Sequence, residues 1–419
     1  MKILVIGSGG REHAVIWKLK QSPLADEIYC APGNGGIAND ARCVNIDAND
    51  VHGILQFSEN NNIDLVVVTP ENPLAAGLVD ILTEHGIRAF GPTSVAAQIE
   101  SSKVFSKNLM KKNGIPTAQY EVFSDSNEAL GYLSRCNFPI VIKADGLALG
   151  KGVIIARDLE EARAAVQDMM VNKAFGEAGS RIIVEEFLEG QEVTVLTFTD
   201  GKTIKPMVSA QDHKKVYDND EGPNTGGMGA FSPSRYYTPE MEQYCMERIF
   251  KPTVDAMNAE GRPFKGILYF GLILTKNGPK VLEYNARFGD PETQVILPRL
   301  KTDLVKIMNA VIDEELENVE IKWYDNAAAC VIMASGGYPG KYEKGFEITG
   351  LPDALQDPDV LVFHAGTEFK DNKYYTAGGR VLGITAVAEN LDKAIEKAYA
   401  AVKLVNFRNC HYRKDIGVK

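Results

Sequence analysis

The sequence has little of what marks a secreted, membrane-bound or nucleic-acid-binding protein. Only six of its 419 residues are cysteine, and they form no C-x-x-C pair and no zinc-like cluster with histidine. A basic excess is also missing, because 45 Lys and Arg face 56 Asp and Glu for a net charge of −11. We therefore expect no disulfide framework, no structural metal, no nucleic-acid or membrane partner, and a reducing cytoplasmic location.

Long hydrophobic runs are missing as well. The opening apolar stretch, residues 3–6, is too short for a signal peptide, and no later run approaches the length of a membrane span. The chain shows no repeat of fixed period and no low-complexity linker. At about 150 residues per domain its length predicts roughly three domains, packed against one another.

Residues 2–100 alternate short β-branched runs with helical patterns, which predicts a doubly wound parallel sheet. Glycine-rich or polar loops follow three of these strands, and ligands of such sheets bind at these ends. A nicotinamide site is excluded, because Glu12 takes the sixth position of the G-x-G-x-x-G pattern and no carboxylate ends the second strand. A tight turn without a ligand stays possible, but we favour a phosphate-bearing substrate at the first loop.

The pattern changes after residue 101. Two strands at 139–156 enclose a small-residue loop, and two more follow near residues 181–199. A polar, glycine-rich tract at 211–233 interrupts the chain, and a β-hairpin is predicted over residues 276–278. Further strands and a final helix from about residue 327 predict a last α+β unit.

Two segments suit a nucleotide. Lys143 ends a strand and precedes a loop of small residues, which lets backbone approach an anion beside a point charge. The loop is not a Walker A motif, and it could equally be a hairpin with surface lysines. In the second segment, a strand end at Leu188 could bind adenine and Glu192 could accept from ribose hydroxyls. The alternative is that these acidic residues only keep a connection soluble.

The strongest group follows the predicted hairpin. Along a strand, Glu283 and Asn285 point to the same face and offer two oxygen ligands for Mg²⁺ between phosphates. Arg287 lies two residues further on and can stabilise charge on a transferring phosphoryl group. A charged turn is the alternative, but three polar residues on one face beside apolar Val281 and Leu282 make it the poorer explanation.

These segments and their order resemble the ATP-grasp superfamily, and more narrowly the glycinamide ribonucleotide synthetase family. The resemblance is carried by G-x-G-G-R-E-H-A at 7–14, A-P-G-N at 31–34, K-A-D-G-L-A-x-G-K-G at 143–152, Q-D-H-K at 211–214, G-P-N-T-G-G-M-G-A at 222–230 and R-F-G-D-P-E-T-Q at 287–294. It extends from residue 1 to R-K-D-I-G at 413–417, and the 222–230 and 287–294 strings are highly specific.

The resemblance implies an α/β and α+β multidomain protein with an ATP-grasp fold. We expect an amino-terminal doubly wound parallel sheet domain (1–100), a central ATP-grasp domain (101–121 and 190–325), a mobile ATP-grasp lid domain (122–189) and a small carboxy-terminal α+β domain (326–419). The expected activity is ATP-dependent ligation of 5-phosphoribosylamine and glycine in purine synthesis, through a glycyl phosphate. The cofactor would be Mg²⁺ or Mn²⁺, with ATP as co-substrate, in a monomer or weak homo-oligomer.

The family's functional residues carry over to matching positions here. Catalytic roles fall to Arg287, Asp290, Asp212 and Lys143. The nucleotide site takes Lys103, Lys143, Gly150, Lys151, Gly152, Glu185, Glu186, Phe187, Leu188, Glu192 and Leu272. The substrates take Gly9, Gly10, Asn34, Asp212, Asn224, Gly226, Gly227, Arg287 and Asp290, and the metal takes Glu283 and Asn285. Asp212, Asn224 and the glycines at 226, 227 and 229 resemble a lid over glycine, which is separate from the lid domain at 122–189.

Two other functions compete. Another ATP-grasp carboxylate-amine ligase or carboxylase would not be expected to carry the 287–294 string. A nucleotide sensor without turnover would be expected to have lost the metal pair or Arg287. Many ATP-grasp enzymes also place a carboxylate on the strand before E-x-N, whereas residues 271–274 have none. Either a second metal is held mostly by phosphates and water, or only one metal is held firmly by the protein, and Mg²⁺ that keeps several waters tolerates both arrangements.

Overall fold

A computed structural model describes residues 1–147 and 152–418. Within them, no helix is long and apolar enough to cross a membrane.

The amino-terminal part is a parallel sheet with strand order β3-β2-β1-β4-β5. Its strands are β1 (Lys2–Gly7), β2 (Glu27–Pro32), β3 (Arg42–Cys43), β4 (Leu65–Val68) and β5 (Arg88–Phe90). Its helices are α1 (Gly10–Leu19), α2 (Val51–Asn60), α3 (Glu71–Ala75) and α4 (Leu78–Glu84). Because the strands are parallel, the loops after β1, β2 and β4 open at the same edge, and such sheets bind ligands at this edge where the strand order reverses, here at β1. The predicted doubly wound parallel sheet is confirmed.

A smaller antiparallel sheet with the order β6-β9-β7-β8 follows. Helices α5 (Ser94–Ser101) and α6 (Lys103–Lys112) lead to β6 (Tyr120–Phe123), α7 (Ser126–Leu133), β7 (Ile140–Ala144), β8 (Val153–Ala156), α8 (Leu159–Val166) and β9 (Ile182–Glu186). A π-helical turn, Gln167–Val171, continues α8. This sheet and its helices bury a hydrophobic cluster of their own around Ile142, Met169 and Val184.

The central sheet has the order β11-β10-β16-β17. Its segment contains β10 (Gln191–Asp200), β11 (Ile204–Pro206), β12 (Gln211–Asp212), β13 (Lys215–Tyr217), β14 (Glu221–Asn224), β15 (Gly229–Ser232), α9 (Pro239–Cys245), α10 (Lys251–Ala259), β16 (Lys265–Thr275), β17 (Gly278–Asn285), α11 (Thr293–Ile296) and α12 (Leu304–Ile312). Strands β16 and β17 form the predicted hairpin, with Thr275 opposite Gly278. A bulge lies between Gly271 and Leu272 in the register, so Leu282 of β17 is the extra residue.

The carboxy-terminal unit contains β18 (Ala327–Ser335), β19 (Glu347–Ile348), β20 (Val360–His364), β21 (Thr367–Lys370), β22 (Lys373–Thr376), β23 (Arg380–Ala388) and β24 (Cys410–His411), with helices α13 (Leu351–Ala354) and α14 (Leu391–Val402). Its larger sheet has the order β12-β15-β18-β23-β20, with β24 paired to β18, and a separate three-stranded sheet has the order β19-β22-β21. The polar, glycine-rich tract at 211–233 therefore supplies two strands, β12 and β15, of the larger sheet. These short strands lack a local hydrophobic pattern; β15 pairs with β18, and β12 pairs with β15.

The amino-terminal and central sheets share their hydrophobic cores. Leu4 and Ile6 lie in one cluster with Phe270 and Leu272, whereas Ile3 and Val5 lie in another with Ile267. Alternate residues of β1 are therefore buried on opposite faces, as expected for a covered parallel sheet. These two sheets form one packed body that holds the loops after β1 and β4 close to the end of β17.

Candidate active site

Strand β17 carries the predicted metal pair. Glu283 and Asn285 are half-buried on one face, and Tyr284 between them is buried on the other. Glu283 Oε1 lies 3.1 Å from Lys214 Nζ, whose charge outweighs desolvation and lowers the pKa of Glu283 to about 2. Glu283 is therefore a carboxylate throughout the physiological pH range.

The amide of Asn285 is oriented by its neighbours. Its nitrogen donates to Glu100 Oε1 at 3.0 Å and to the Tyr284 carbonyl at 3.2 Å, so its oxygen faces away from Glu100. An ionised carboxylate and an amide oxygen on one strand face are ligands that Mg²⁺ accepts. The described residues hold no cluster of three or more acidic, His or Cys side chains that could bind a metal. The pair thus fits Mg²⁺ held jointly with substrate phosphates better than a metal held by protein alone.

Three lysines and Glu185 form a second group beside this strand. Glu185 Oε2 lies 3.0 Å from Lys143 Nζ and 3.1 Å from Lys107 Nζ. Lys143 also donates to the Leu282 carbonyl at 3.1 Å, at the residue that the bulge adds to β17. Lys103 donates to the Gly146 carbonyl at 2.8 Å, and burial lowers its pKa. The group gathers positive charge against the metal strand, as a polyphosphate requires.

One acceptor of this group has no hydrogen-bond partner among the described residues. Glu185 Oε1 is buried and unpaired, whereas its other oxygen is shared by Lys107 and Lys143. Desolvation lowers the pKa of Lys107 to about 8, although Glu185 opposes this effect. A buried acceptor without a donor costs free energy, which a ligand donor would recover.

The strand end at 186–188 differs in detail from the expected adenine site. The Glu186 N–H already donates to the Gln119 carbonyl at 3.0 Å, so the carbonyl is the backbone group with which Glu186 could meet a base. Phe187 is exposed, Leu188 is half-buried, and Leu272 is fully buried in the core beside β10. Gly152 precedes β8, whereas Gly150 and Lys151 lie outside the described residues.

Lys214 faces a cluster of acidic side chains. Its ammonium lies 3.1 Å from Glu283 and 3.6 Å from Glu192. Burial raises the pKa of Asp212 to about 8; Lys214 opposes the rise, whereas Glu292 adds to it. The Glu292 carboxylate is buried and accepts from Tyr269 at 2.9 Å. With a pKa of about 8, Asp212 is mostly protonated at neutral pH, even with the Lys214 ammonium nearby.

Arg287 connects the end of β17 with the amino-terminal sheet. Its guanidinium lies 3.0 Å from Glu100 and 3.5 Å from Glu71, which begins α3 directly after β4. Burial raises the pKa of Glu100, although Arg287 opposes this; at Glu71, Arg287 and Arg11 outweigh desolvation and lower the pKa. Arg287 Nε is buried without a hydrogen-bond partner among the described residues. The charge on Arg287 is thus held between the end of β17 and the amino-terminal sheet.

The loop after β1 modifies one argument from the sequence. The Gly9 N–H donates to Glu12 Oε2 at 2.6 Å and so is not free to bind a phosphate. The Asn34 side chain is also occupied: its nitrogen donates to the Ser8 and His364 carbonyls, and its oxygen accepts from the Gly36 and Ile37 N–H groups. Asn34 therefore shapes the loop edge, and phosphate donors there would come from backbone groups such as the Gly10 N–H at the start of α1.

The expected lid over glycine, residues 224–227, approaches the same edge. Asn224 ends β14, opposite Lys215, and Gly226 and Gly227 follow it. A Cβ at Gly227 would lie 2.4 Å from Pro291 Cδ, so the chain packs directly on the turn at Asp290. The structure thus brings the predicted lid and Asp290 together beside the loop after β1.

Sequence reasoning missed several residues of this site. Among them are Glu71, Glu100, Lys107, Lys214, Glu292 and Arg380. Lys214 and Glu292 lie inside quoted motifs, which was an available signal. Glu71, Glu100 and Arg380 could not be recognised as site residues from the sequence, because the residues they contact lie far away in the chain.

Comparisons with known proteins agree with this arrangement. The N domain of phosphoribosylglycinamide synthetase matches residues 1–100, its ATP-grasp (A) domain matches 101–293, and its C domain matches 328–419. The chain belongs to the phosphoribosylglycinamide synthetase family. It is therefore a ligase with an ATP-grasp domain, and both the resemblance and the ATP-grasp fold class are confirmed.

Relatives of known name cover the whole chain. A phosphoribosylamine--glycine ligase of Clostridium acetobutylicum is 49% identical over 417 residues, covering 100% of this chain and 99% of that protein. The trifunctional purine biosynthetic protein adenosine-3 of Gallus gallus is 53% identical over 422 residues, but this chain spans 42% of its length.

Solved structures give the same result. The crystal structure of a phosphoribosylamine--glycine ligase from Thermotoga maritima has a TM-score of 0.86 at 32% identity, covering 100% of both chains. A biotin carboxylase domain from Hydrogenobacter thermophilus has a TM-score of 0.75 at 17% identity and covers 98% of this chain, which shows the shared fold alone.

The buried charges around Glu185 give a stability prediction. Glu185→Gln leaves two buried ammonium groups without their carboxylate, which should cost about 3 kcal/mol. We expect a matching loss of hydrogen-exchange protection along β7 and β9. The control is Glu260→Gln, which removes an exposed partner of Lys112 and should change protection by less than about 0.5 kcal/mol. Equal protection in both variants would contradict the role given to Glu185.

Proposed function

We propose that this protein joins 5-phosphoribosylamine and glycine to form glycinamide ribonucleotide, with release of ADP and phosphate, in de novo purine synthesis. The family and its full-length relatives support the reaction. The observation that carries the proposal is the position of Arg287, between the metal strand and the ligand-binding edge of the amino-terminal sheet. Phosphoryl transfer from ATP and the reaction with a second substrate can therefore take place in one active site.

ATP would lie between the lysine group and β17. Lys103 and Lys143 would meet its phosphates, and the unpaired Glu185 Oε1 would accept from the exocyclic amine of adenine. The Glu186 carbonyl and the Leu188 N–H would meet the base edge, and Glu192 would accept from the ribose hydroxyls. Glu283 and Asn285 would hold Mg²⁺ or Mn²⁺, which supplies charge neutralisation between the phosphates when bound.

The reaction takes two steps. A glycine carboxylate oxygen bonds to the γ-phosphorus of ATP, and the bond to the bridging oxygen breaks so that ADP leaves. The amine of phosphoribosylamine then bonds to the carbonyl carbon of glycyl phosphate, loses a proton, and expels phosphate. Lys214 and Arg287 flank the position where negative charge develops, and their charges are held in place by carboxylates before the substrates arrive.

Glycine would lie near Asp212, Asn224 and the lid glycines, with its ammonium group on the Asp212 carboxylate. Phosphoribosylamine would lie against Gly9, Gly10 and the loop at Asn34, with its amine close to Asp290. The small sheet β6-β9-β7-β8, which has its own core, would move as a separate lid over ATP.

The decisive experiment measures phosphate release from ATP with glycine and freshly made phosphoribosylamine, each alone and then together. We expect fast release only with both, and glycinamide ribonucleotide as the product by mass spectrometry. Release that another amine supports equally well, with phosphoribosylamine having no effect, would favour a different carboxylate-amine ligase. ATP binding without phosphate release under any combination would favour a nucleotide sensor.

The metal pair gives a second test. Glu283→Gln replaces a charged ligand by a neutral one, so the Mg²⁺ concentration for half-maximal ligation should rise about tenfold or more. The affinity for an adenosine analogue without phosphates should stay within about twofold, because Glu283 serves the phosphates. The control is Glu389→Gln, an exposed carboxylate paired with Lys393 on the carboxy-terminal unit. An unchanged Mg²⁺ requirement in Glu283→Gln would remove β17 as the metal site.

Asp212 predicts a pH dependence. Its carboxyl is protonated below its pKa of about 8, and only the carboxylate can pair with the glycine ammonium. The kcat/KM for glycine should therefore rise with pH up to about 8 and then level off, because kcat/KM reports groups of the free enzyme. Asp212→Asn should lower it and flatten this limb, whereas kcat/KM for ATP serves as the internal control. An unchanged limb in Asp212→Asn would assign the titration to another group.

A further inference from the structure

Arg380, the first residue of β23, reaches from the carboxy-terminal sheet into the site. Its Nη1 donates to the Gly226 carbonyl at 2.8 Å and to the Asp290 carbonyl at 3.0 Å. Its Nη2 lies 2.6 Å from Asp290 Oδ2. One guanidinium thus binds the lid backbone and the Asp290 turn at the same time.

Tyr338, a second residue of the carboxy-terminal unit, also binds the lid backbone. The hydroxyl of Tyr338 accepts from the Gly226 N–H at 3.1 Å, so both polar backbone atoms of Gly226 are held by the carboxy-terminal unit. A Cβ at Gly226 would lie 3.0 Å from Arg380 Cζ. Glycine at this position lets the lid backbone lie directly on the guanidinium.

Asp290 is held from both sides. Gln294 Nε2 donates to its Oδ1 at 2.7 Å, while Arg380 binds its Oδ2 at 2.6 Å. A Cβ built on Gly9 would lie 3.7 Å from Asp290 Oδ2. The carboxylate is therefore fixed in rotation beside the loop after β1, and each oxygen keeps a second lone pair for a further donor.

We propose that Arg380 is a positioning residue for phosphoribosylamine, which it serves by fixing the Asp290 carboxylate and the 226–227 lid backbone against each other. This inference rests on the proposed function, in which Asp290 orients the substrate amine. The guanidinium is engaged by protein acceptors from two segments, which separates this role from direct binding of an anion.

The geometry also explains why arginine is needed. A planar guanidinium donates in several directions at fixed angles, and a lysine ammonium on a flexible stem cannot bind the lid carbonyl and the carboxylate in the same arrangement. Lysine keeps the charge beside Asp290, however. Arg380→Lys should therefore keep the local charge balance and lose the alignment of the lid with Asp290.

The test compares Arg380→Lys, Arg380→Met and Tyr338→Phe in steady-state ligation by the full chain. In Arg380→Lys we expect KM for phosphoribosylamine to rise about tenfold, the factor for one lost charge-assisted hydrogen bond, and KM for ATP to stay within about twofold. Arg380→Met should raise it further. Tyr338→Phe removes a neutral hydrogen bond and should raise KM for phosphoribosylamine about threefold.

The control is Arg235→Lys. Arg235 pairs with an aspartate of the carboxy-terminal unit, so this Arg–Asp pair also joins the central part of the chain to that unit, but it lies outside the site. Arg235 binds Asp392 at 2.5 Å and lies 3.4 Å from the Gly417 carbonyl. KM for phosphoribosylamine should be unchanged in this variant.

A merely structural role would reduce the folded fraction, and so kcat, without raising KM for one substrate. The proposal is overturned if KM for phosphoribosylamine in Arg380→Lys stays within about twofold of wild type, or if KM for ATP rises equally. Failure of the proposed function would look different, since wild type itself would then not consume phosphoribosylamine.

Discussion

A buried guanidinium fixes the geometry on which the rest of the site depends. Arg287 lies between Glu100 at the end of α5 and Glu71 after β4, and Glu100 also accepts from the Ala286 N–H at 2.7 Å. Removing one partner from such a buried group costs several kcal/mol, so the three side chains stay together. The end of the metal strand is thereby held at the ligand-binding edge of the amino-terminal sheet. Two consecutive bond-forming steps can then occur without an intermediate having to travel.

The small sheet is attached to this body in a different way. It has its own hydrophobic core, and it meets the central hairpin through polar contacts such as Lys143 on the Leu282 carbonyl and Lys280 on Glu186. The bulge in β17 matters here, because the added residue presents the carbonyl that Lys143 uses. Polar contacts of this kind can be exchanged for contacts with a polyphosphate at little cost, whereas a shared apolar core could not. The packing therefore agrees with a lid that closes over ATP.

Much of the architecture could be predicted from the sequence, because its signals are local. The alternation of strand and helix patterns in residues 2–100, the β16–β17 hairpin and the same-face spacing of Glu283 and Asn285 all depend on residues close together in the chain. Strands β12 and β15 could not be predicted in this way, because β12 pairs with β15 and β15 pairs with β18, which lies about a hundred residues further along. The same holds for Arg380, which is 90 residues away from Asp290.

Composition also cannot say which polar groups are already occupied. Gly9 and Asn34 are residue types that suit a phosphate-binding loop, and both lie at the expected edge of the sheet. The structure shows that the Gly9 N–H is bound by Glu12 and that the Asn34 side chain binds four backbone groups. Only the folded structure shows that these polar groups are used in hydrogen bonds that hold the loop itself.

The carboxy-terminal unit is part of the site because of how its sheet is formed. Strand β15, which follows the 224–227 lid over glycine, pairs with β18 from Gly229 opposite Val331 to Ser232 opposite Ala328. Without β18 this strand would present unpaired backbone groups beside the lid. The same sheet delivers Arg380 and Tyr338 to Gly226. The position of the lid is thus set by backbone pairing at one end and by two side chains at the other. The carboxy-terminal sheet therefore belongs to the machinery that orders the lid, even though the predicted ATP, metal and substrate residues all precede β18.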